Sequence, residues 1–389
     1  MGEELSEAPE WIKLPIDLQH GFFELAAKEA EELSKVIMSI NESLKKLKTR
    51  ITHHIRPLPD QYRRSTIAAV DSSRSPKLSE RLGIKYGVYA TGIVYLRGFK
   101  RREEFKPGIF RCRQALSREN SKRLFDLVTT LHERETAQKA LKECNILFLD
   151  GSFYSFVYPA LAMKKSGSLE RREREILENI FNITEELRKS GKVLGVIKRS
   201  HSRIIGGYML LELSCKDFIN ILDKHILALI MPERSFLEYN SVISDEHPVT
   251  YTKAAAFASR ISGSIDDLRE IARKGTYRPF DMLDLPAKGF ASMRRAQVRF
   301  YGDLPPCELE YPDTMDLRDL LSEEGLFNET TNLPLALDLV DSLVNISSKF
   351  TEEFVSEIEG RVLEKIARDN ESLEAVKAFF AFLNPQKPF

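Results

Sequence analysis

The sequence has few cysteines and no excess of charge of either sign. Its four cysteines, Cys112, Cys144, Cys215 and Cys307, include no C-x-x-C pair, which argues against a structural zinc site. The 58 Lys and Arg residues balance the 58 Asp and Glu residues, so the net charge of zero supplies no general attraction for nucleic acid. Any surface that binds DNA must therefore come from local segregation of charge.

The sequence also lacks a membrane-spanning run, a secretion signal and the common nucleotide-binding motifs. Residues 1–5 are acidic, and no stretch reaches the ~18 apolar residues of a membrane span. There is no G-x-x-x-x-G-K-[ST] loop, no G-x-G-x-x-G and no G-x-S-x-G elbow. We therefore expect a cytoplasmic protein with free thiols, which would draw any nucleotide energy from another subunit.

Two short apolar segments each end on an aspartate that is followed by small residues. Residues 67–70 precede Asp71, and residues 146–149 precede Asp150. Apolar runs of this kind predict buried strands, which would hold each carboxylate rigidly at the edge of a sheet. Taken alone, either aspartate is better explained as a turn former or helix N-cap. Two of them on neighbouring strands instead favour a shared site for a hard divalent cation, which prefers oxygen ligands.

Three further residues could complete such a site. Glu133 and Glu135 lie on the helix predicted before the second strand, two residues apart, so at most one of them is expected to face the site. Lys198 ends a third apolar strand and suits a phosphate oxygen or an attacking water, although a surface lysine explains it equally well. His201, in the same loop, is most simply polar surface.

Basic residues are concentrated in one segment, where a solvated sheet edge is an equally good explanation. The segment contains Arg97, Lys100, Arg101, Arg102, Lys106, Arg111, Arg113 and Arg118. Arg101 and Arg102 from this segment, and Arg74 and Arg199 beside the candidate site, are our candidates for DNA contacts.

The apolar periodicity predicts an α/β protein with a mixed sheet and helical additions. We expect residues 1–60 to form an N-terminal extension built on one long helix at 17–55, residues 61–350 to form the main domain, and residues 351–389 to form a C-terminal helical segment. The predicted strands are 67–71, 86–90, 92–96, 146–150, 193–197, 296–301 and 308–311, and the other predicted helices are 117–143, 169–190, 218–231, 254–261, 265–273, 333–350 and 352–383.

The order of these motifs resembles the NurA nuclease family. The resemblance rests on residues 69–73, a helical glutamate, residues 148–152 and 196–200, Asp223, and residues 299–301, 308–312 and 333–337. It implies a ribonuclease H-like core, a homodimer, and Mn²⁺- or Mg²⁺-dependent cleavage of DNA. Similar proteins act as single-strand endonucleases and 5′ to 3′ exonucleases, and work with the HerA hexameric helicase-translocase in resecting DNA ends for repair.

Carried over residue by residue, the resemblance implies that Asp71 and Asp150 are metal ligands and that Glu133, rather than Glu135, is the helical glutamate. It also implies that Lys198 is the family's basic residue after the third strand. One position departs from the family, because Asp341 stands where relatives usually have a histidine on a late helix. An aspartate still offers oxygen ligands, so we expect Asp341 to complete the metal site with an altered metal preference, or to mark lost activity. Asp338, on the same helical face, is a further candidate, and two solvent-facing aspartates explain the pair equally well.

Three functions follow in order of preference. The first is a divalent-metal-dependent DNA nuclease acting on single strands and duplex ends. The second is a catalytically weakened dimeric subunit that binds DNA or docks on a helicase, and the third is a ribonuclease H-like enzyme acting on RNA or hybrids. In each case the long N-terminal helix and the last helix are our candidates for dimer or partner contacts, although packing of the long helix on its own domain explains its length equally well.

Overall fold

The chain is built around one ten-stranded mixed sheet. A computed structural model describes residues 13–81, 83–113, 116–243, 246–258, 260 and 264–367. The strands are β1 (Arg56–Pro57), β2 (Ile67–Arg74), β3 (Ser79–Arg81), β4 (Ile84–Arg97), β5 (Lys100–Arg113), β6 (Ile146–Asp150), β7 (Val193–Ile197), β8 (Ser235–Glu238), β9 (Met293–Arg299) and β10 (Cys307–Pro312). The helices are α1 (Ile16–Ile51), α2 (Arg118–Ala140), α3 (Val157–Lys165), α4 (Arg171–Lys189), α5 (Ile204–Leu213), α6 (Asp223–Ile230), α7 (Pro248–Phe257), α8 (Ile265–Leu283), α9 (Lys288–Ala291), α10 (Leu317–Leu320), α11 (Leu335–Val344) and α12 (Ser348–Ala367).

The strand order brings the three predicted strand ends together. Across the sheet the order is β1-β8-β9-β10-β7-β6-β2-β4-β3, and β5 pairs with β4 along its length. Strands β2, β6 and β7 are parallel neighbours, with Ala69 opposite Phe148 and Phe148 opposite Leu194. Because the parallel pairing of these strands stops at the same edge, Asp71, Asp150 and Lys198 become neighbours. The strand predicted to end at Asp71 continues to Arg74, paired with β4.

Helices cover both faces of the sheet, and strand periodicity decides which side chain faces which layer. Val70 and Leu149 lie in a core that includes apolar residues of α2 and α4. Ala69 and Phe148 lie in a second core, beneath α11. Asp71 has the same parity as Ala69, so its side chain is directed toward the α11 face.

The end of α1 lies in a third core, where Leu47 and Ile51 pack with residues of α5 and α6. Earlier in the same helix, Phe22, Phe23 and Met38 are exposed. Among the described residues, no helix is both long and apolar enough to cross a membrane.

The α/β class, the mixed sheet and the long N-terminal helix are confirmed. The ribonuclease H-like assignment and the domain limits stay predictions. Two predicted strands, 86–90 and 92–96, form the single strand β4, because Thr91 continues the ladder between Ser72 and Lys106. The basic segment was not predicted as a strand, yet most of it forms β5.

Five predicted helices have wrong limits. The helix predicted at 254–261 spans Pro248–Phe257, and the helix predicted at 265–273 continues to Leu283. The first helix ends at Ile51, before residue 55. The helix predicted at 218–231 starts at Asp223, whose carboxylate accepts hydrogen bonds from the Ile204 and Ile205 N–H groups at 2.8 and 3.0 Å. The late helix ends at Val344, and the Ile346 N–H group donates to Ser73 Oγ at 3.0 Å before α12 begins. The predicted end of the last helix, residues 368–383, lies outside the described residues.

Candidate active site

Lys198 lies at the centre of three carboxylates at the edge of the sheet. Its Nζ atom is 3.3 Å from Asp71 Oδ2, 3.5 Å from Asp150 Oδ1 and 3.2 Å from Asp341 Oδ2. Asp71 lies within β2, directly after its last pair with β6, while Asp150 ends β6, and α11 brings the third carboxylate to the same face. We call these four residues the carboxylate cluster.

The carboxylate cluster has more negative charge than one lysine neutralises. Burial raises the pKa of Asp71 to about 9, and the nearby Asp150 adds to the rise while Lys198 opposes it. Burial also raises the pKa of Asp150, again against the effect of Lys198. Burial alone would lower the pKa of Lys198, but the three carboxylates outweigh it and raise that pKa. Additional positive charge would therefore be favourable here.

The donor set is chemically suited to Mn²⁺ or Mg²⁺, because it consists of carboxylate oxygens on two strands and a helix. Among the described residues, however, no group of three or more His, Cys, Asp or Glu side chains is already arranged to hold a metal ion. The Lys198 ammonium occupies the space where Asp71, Asp150 and Asp341 meet. The positive charge that the three carboxylates share is therefore the ammonium group of Lys198.

Glu133 lies near the cluster, on the opposite face of the sheet, and its charge adds to the rise in the pKa of Asp71. Its Oε2 accepts a hydrogen bond from Ser72 Oγ at 2.5 Å, and its Oε1 pairs with Arg134 Nη1 at 3.0 Å. Burial raises the pKa of Glu133, while Arg134 opposes the rise. Glu135 is exposed and pairs with His132 at 2.9 Å. The structure therefore brings Glu133 beside Asp71 and leaves Glu135 outside the site.

Two other candidates do not join the cluster. The Asp338 carboxylate accepts hydrogen bonds from Asn328 Nδ2 at 2.8 Å and from the Thr331 hydroxyl, so it stabilises the turn before α11. His201 is exposed in the loop after β7. Asp341 is thus the residue of α11 that reaches Lys198.

A basic cavity of about 710 Å³ adjoins the carboxylate cluster. Its charged lining consists of Arg74, Lys77, Lys85, Arg118, Lys122 and Arg199, against Glu80 and Glu119. Ser72 and Ser73 also line it, directly after Asp71, so the cavity opens beside the carboxylates. Arg74 forms an ion pair with Asp126 at 2.6 Å. Lys77, Lys85 and Lys122 were not predicted, because they belong to a loop, a strand and a helix that only the fold brings together.

Arg101 and Arg102 are not part of this cavity. Arg101 lies opposite Leu96, and Leu96 lies opposite Ile67 at the start of β2, far from the strand end that holds Asp71. Arg101 forms an ion pair with Glu103. Arg102 pairs with Glu143 at 2.6 Å and lies 4.1 Å from the centre of the Tyr95 ring. The structure thus separates these two arginines from Arg74 and Arg199.

Comparison with known proteins identifies a family. The NurA nuclease from Sulfolobus solfataricus has a similar fold, with a TM-score of 0.55, 15% identity, and coverage of 89% of this chain and 98% of that chain. A further NurA crystal structure has a TM-score of 0.45, 12% identity, and coverage of 81% and 93%. A NurA structure with manganese has a TM-score of 0.47, 12% identity, and coverage of 85% and 97%. No curated protein matches the sequence.

At the sequence level, the family model described as the NurA domain matches residues 65–263. This range covers just over half of the 389 residues. It includes β2, α2, β6 and β7, the elements that position Asp71, Glu133, Asp150 and Lys198. The chain belongs to the NurA family.

Proposed function

We propose that this protein is a divalent-metal-dependent nuclease that cleaves DNA at the carboxylate cluster. The main observation is the convergence of Asp71, Asp150 and Asp341 within 3.5 Å of one lysine ammonium. The basic cavity beside the cluster supports a polyanionic substrate, because its positive charge is local in a chain with no net charge. Membership of the NurA family supports the same conclusion.

In this proposal Asp71, Asp150, Asp341 and Glu133 hold Mn²⁺ or Mg²⁺. A bound divalent cation would activate the attacking water and neutralise charge that develops on the phosphate. Lys198 supplies a further positive charge for a phosphate oxygen. Arg74 and Arg199 line the neighbouring cavity and would hold the DNA backbone.

We further propose that the protein has both single-strand endonuclease and 5′ to 3′ exonuclease activity. It would act in the cytoplasm, together with a HerA-type hexameric helicase. We also propose a homodimer, supported by the exposed apolar side chains Phe22, Phe23 and Met38 on α1. Light scattering at micromolar concentration should give the mass of two chains, and a monomer would contradict the dimer.

The central test compares Asp71→Asn and Asp150→Asn with the wild-type protein on labelled single-stranded and duplex DNA in Mn²⁺. We expect each substitution to slow cleavage by at least ~100-fold, because it removes a charged ligand from the site. Asp338→Asn is the matched control, since Asp338 lies on α11 but bonds to Asn328. Cleavage at the wild-type rate by both site variants would refute the proposal.

The alternative of a weakened, DNA-binding or helicase-docking subunit is favoured by two observations. Lys198 already occupies the space between the carboxylates, and Asp341 replaces the expected histidine. Titration calorimetry with Mn²⁺ separates the two proposals, because the alternative requires that DNA binding or helicase association persist without metal binding. Replacing DNA by RNA or by an RNA–DNA hybrid in the same cleavage assay tests the ribonuclease H-like alternative.

A further inference from the structure

Strands β9 and β10 contain a buried group of charged residues that the proposed mechanism does not use. Arg295 pairs with Glu308 through Nη1 and with Glu310 through Nη2, both at 2.9 Å. Arg295 and Glu310 lie directly opposite each other in the antiparallel ladder. The exposed fractions of Glu308 and Glu310 are 1% and 0%. We call Arg295, Glu308 and Glu310 the brace.

Each glutamate of the brace binds one of the loops that follow the site strands. Glu310 Oε2 accepts hydrogen bonds from Ser152 Oγ at 2.8 Å and from the Phe153 N–H group at 2.7 Å. This loop begins directly after Asp150. Glu308 accepts hydrogen bonds from the hydroxyl groups of Ser200 and Ser202.

The loop that Glu308 binds begins directly after Lys198. One guanidinium group, that of Arg295, therefore joins the loop after Asp150 to the loop after Lys198 through two carboxylates. The carboxylates of Glu308 and Glu310 are fully buried, so water competes little for the hydrogen bonds that they accept.

The same buried network extends to Glu133. Arg134 Nη2 donates to the carbonyl oxygens of Ser152 and Phe153 at 3.4 Å, while its Nη1 pairs with Glu133 at 3.0 Å. The loop after Asp150 is thus held from one side by Glu310 and from the other by Arg134. Beneath the carboxylate cluster, negative and positive side chains thus alternate in the order Glu133, Arg134, Glu310, Arg295 and Glu308.

A purely apolar arrangement at these positions would avoid the desolvation of five charged groups. Replacing a buried ion pair with well-packed apolar residues of similar volume is often neutral or stabilising. Stability alone therefore does not account for the charges. Their contacts, by contrast, are with the two loops that place Asp150 and Lys198.

We propose that Arg295, Glu308 and Glu310 are positioning residues that fix the relative placement of Asp150 and Lys198. In doing so they set the affinity of the cluster for a divalent cation. This inference rests on the proposed function, since it concerns the same site. Partners that orient metal-binding groups change metal affinity or activity by roughly 10–100-fold when they are mutated.

The test compares Glu310→Gln with Glu323→Gln. Glu323 is a matched control because it is also buried and accepts hydrogen bonds from one backbone N–H group and one hydroxyl, both of Ser65, at 2.9 and 2.6 Å. Ser65 precedes the start of β2, at the opposite end of that strand from Asp71. Two quantities are measured: Mn²⁺ affinity by titration calorimetry, and hydrogen–deuterium exchange of the metal-free protein.

We expect Glu310→Gln to weaken Mn²⁺ binding by roughly 10–100-fold and to speed exchange in residues 151–155. Glu323→Gln should change neither, whatever it does to the melting temperature. Glu308→Gln is the second variant, expected to weaken Mn²⁺ binding and to speed exchange in residues 199–203.

Unchanged exchange in these segments, in folded variants of both glutamates, would overturn the inference. Faster exchange with wild-type Mn²⁺ affinity would also overturn it, because the glutamates would then be structural only. If the wild-type protein itself binds no Mn²⁺, the proposed function fails, whereas the exchange measurement still decides whether the brace orders the two loops.

Discussion

Lys198 Nζ lies 3.2 Å from Asp341 Oδ2, an ion pair that joins the end of a buried strand to a helix late in the chain. Asp341 is the most exposed carboxylate of the cluster, with 59% of its side chain accessible. Burial would raise its pKa, but the hydrogen bond with Asp71 and the charge of Lys198 hold that pKa below its usual value. Asp341 is therefore ionised and available as a ligand at neutral pH.

Substitutions at position 341 should change metal preference. Asp341→His should retain cleavage with Mn²⁺ and lose it with Mg²⁺, because an imidazole nitrogen suits transition metals better than Mg²⁺. Asp341→Ala should weaken the binding of both ions. The measurement is the ratio of the cleavage rate in Mn²⁺ to the cleavage rate in Mg²⁺. If this ratio is the same for the wild-type protein and Asp341→His, residue 341 does not contact the metal.

Substitution of the two helical glutamates should give different results. Glu133→Gln should weaken Mn²⁺ binding by roughly tenfold or more, because Glu133 hydrogen bonds to Ser72 beside Asp71. Glu135→Gln should leave the affinity unchanged, since Glu135 is exposed and bonds to His132. Titration calorimetry of both variants measures the difference. Equal affinities would remove Glu133 from the proposed site.

Gly195→Ala should disturb the loop after Asp150. A Cβ atom at Gly195 would lie 2.5 Å from the Gly151 carbonyl oxygen, so the backbone of that loop would have to move. We expect a loss of about 1–3 kcal/mol in the free energy of unfolding, together with slower cleavage. Gly360→Ala is the control, because no atom lies within 4 Å of its added Cβ on α12. Urea denaturation of both variants tests the expectation, and equal stabilities would contradict it.

The basic residues of the cavity and those of β5 should differ in their effect on DNA binding. Arg199→Ala and Lys122→Ala, in the basic cavity, should each weaken binding and reduce the slope of log affinity against log salt by about 1. Arg101→Ala and Arg102→Ala test the second predicted group, whose ion pairs with Glu103 and Glu143 should reduce their contribution. Fluorescence anisotropy at several salt concentrations, without added metal, measures the slopes. A larger effect at Arg101 or Arg102 would indicate that DNA binds along β5 instead.

The buried Asp223 should make stability depend on pH. Burial raises its pKa to about 7, with Glu308 adding to the rise and hydrogen bonds from Tyr239 and the backbone opposing it. Since the pKa is higher in the folded than in the unfolded state, its contribution to stability is full below about pH 4 and is lost as pH rises through 7.

The free energy of unfolding of the wild-type protein, minus that of Asp223→Asn, should therefore fall by about 2–4 kcal/mol between pH 4 and pH 8. Denaturation curves of both proteins at each pH give this difference. A constant difference across the range would show that Asp223 keeps an ordinary pKa in the folded protein.

Local patterns predicted the strand ends because burial and rigidity are properties of short segments. The apolar runs before Asp71, Asp150 and Lys198 form β2, β6 and β7 within a few residues of the predicted limits. Burial of β10 does not follow from its local pattern, because alternation such as Glu308-Leu309-Glu310 is typical of a half-exposed strand. This strand lies inside the sheet with layers on both faces, so its glutamates are buried with Arg295.

The sequence by itself determined which side chains stand at the ends of rigid strands, and that a helical glutamate and a late aspartate were available. Only the tertiary structure decided which of them meet. Parallel pairing brought Asp71, Asp150 and Lys198 to one edge. The packing of α11 selected Asp341 over Asp338, and the register of α2 selected Glu133 over Glu135. The physical reason is that hydrophobic periodicity is local, whereas the distance between two charged groups depends on how whole elements pack.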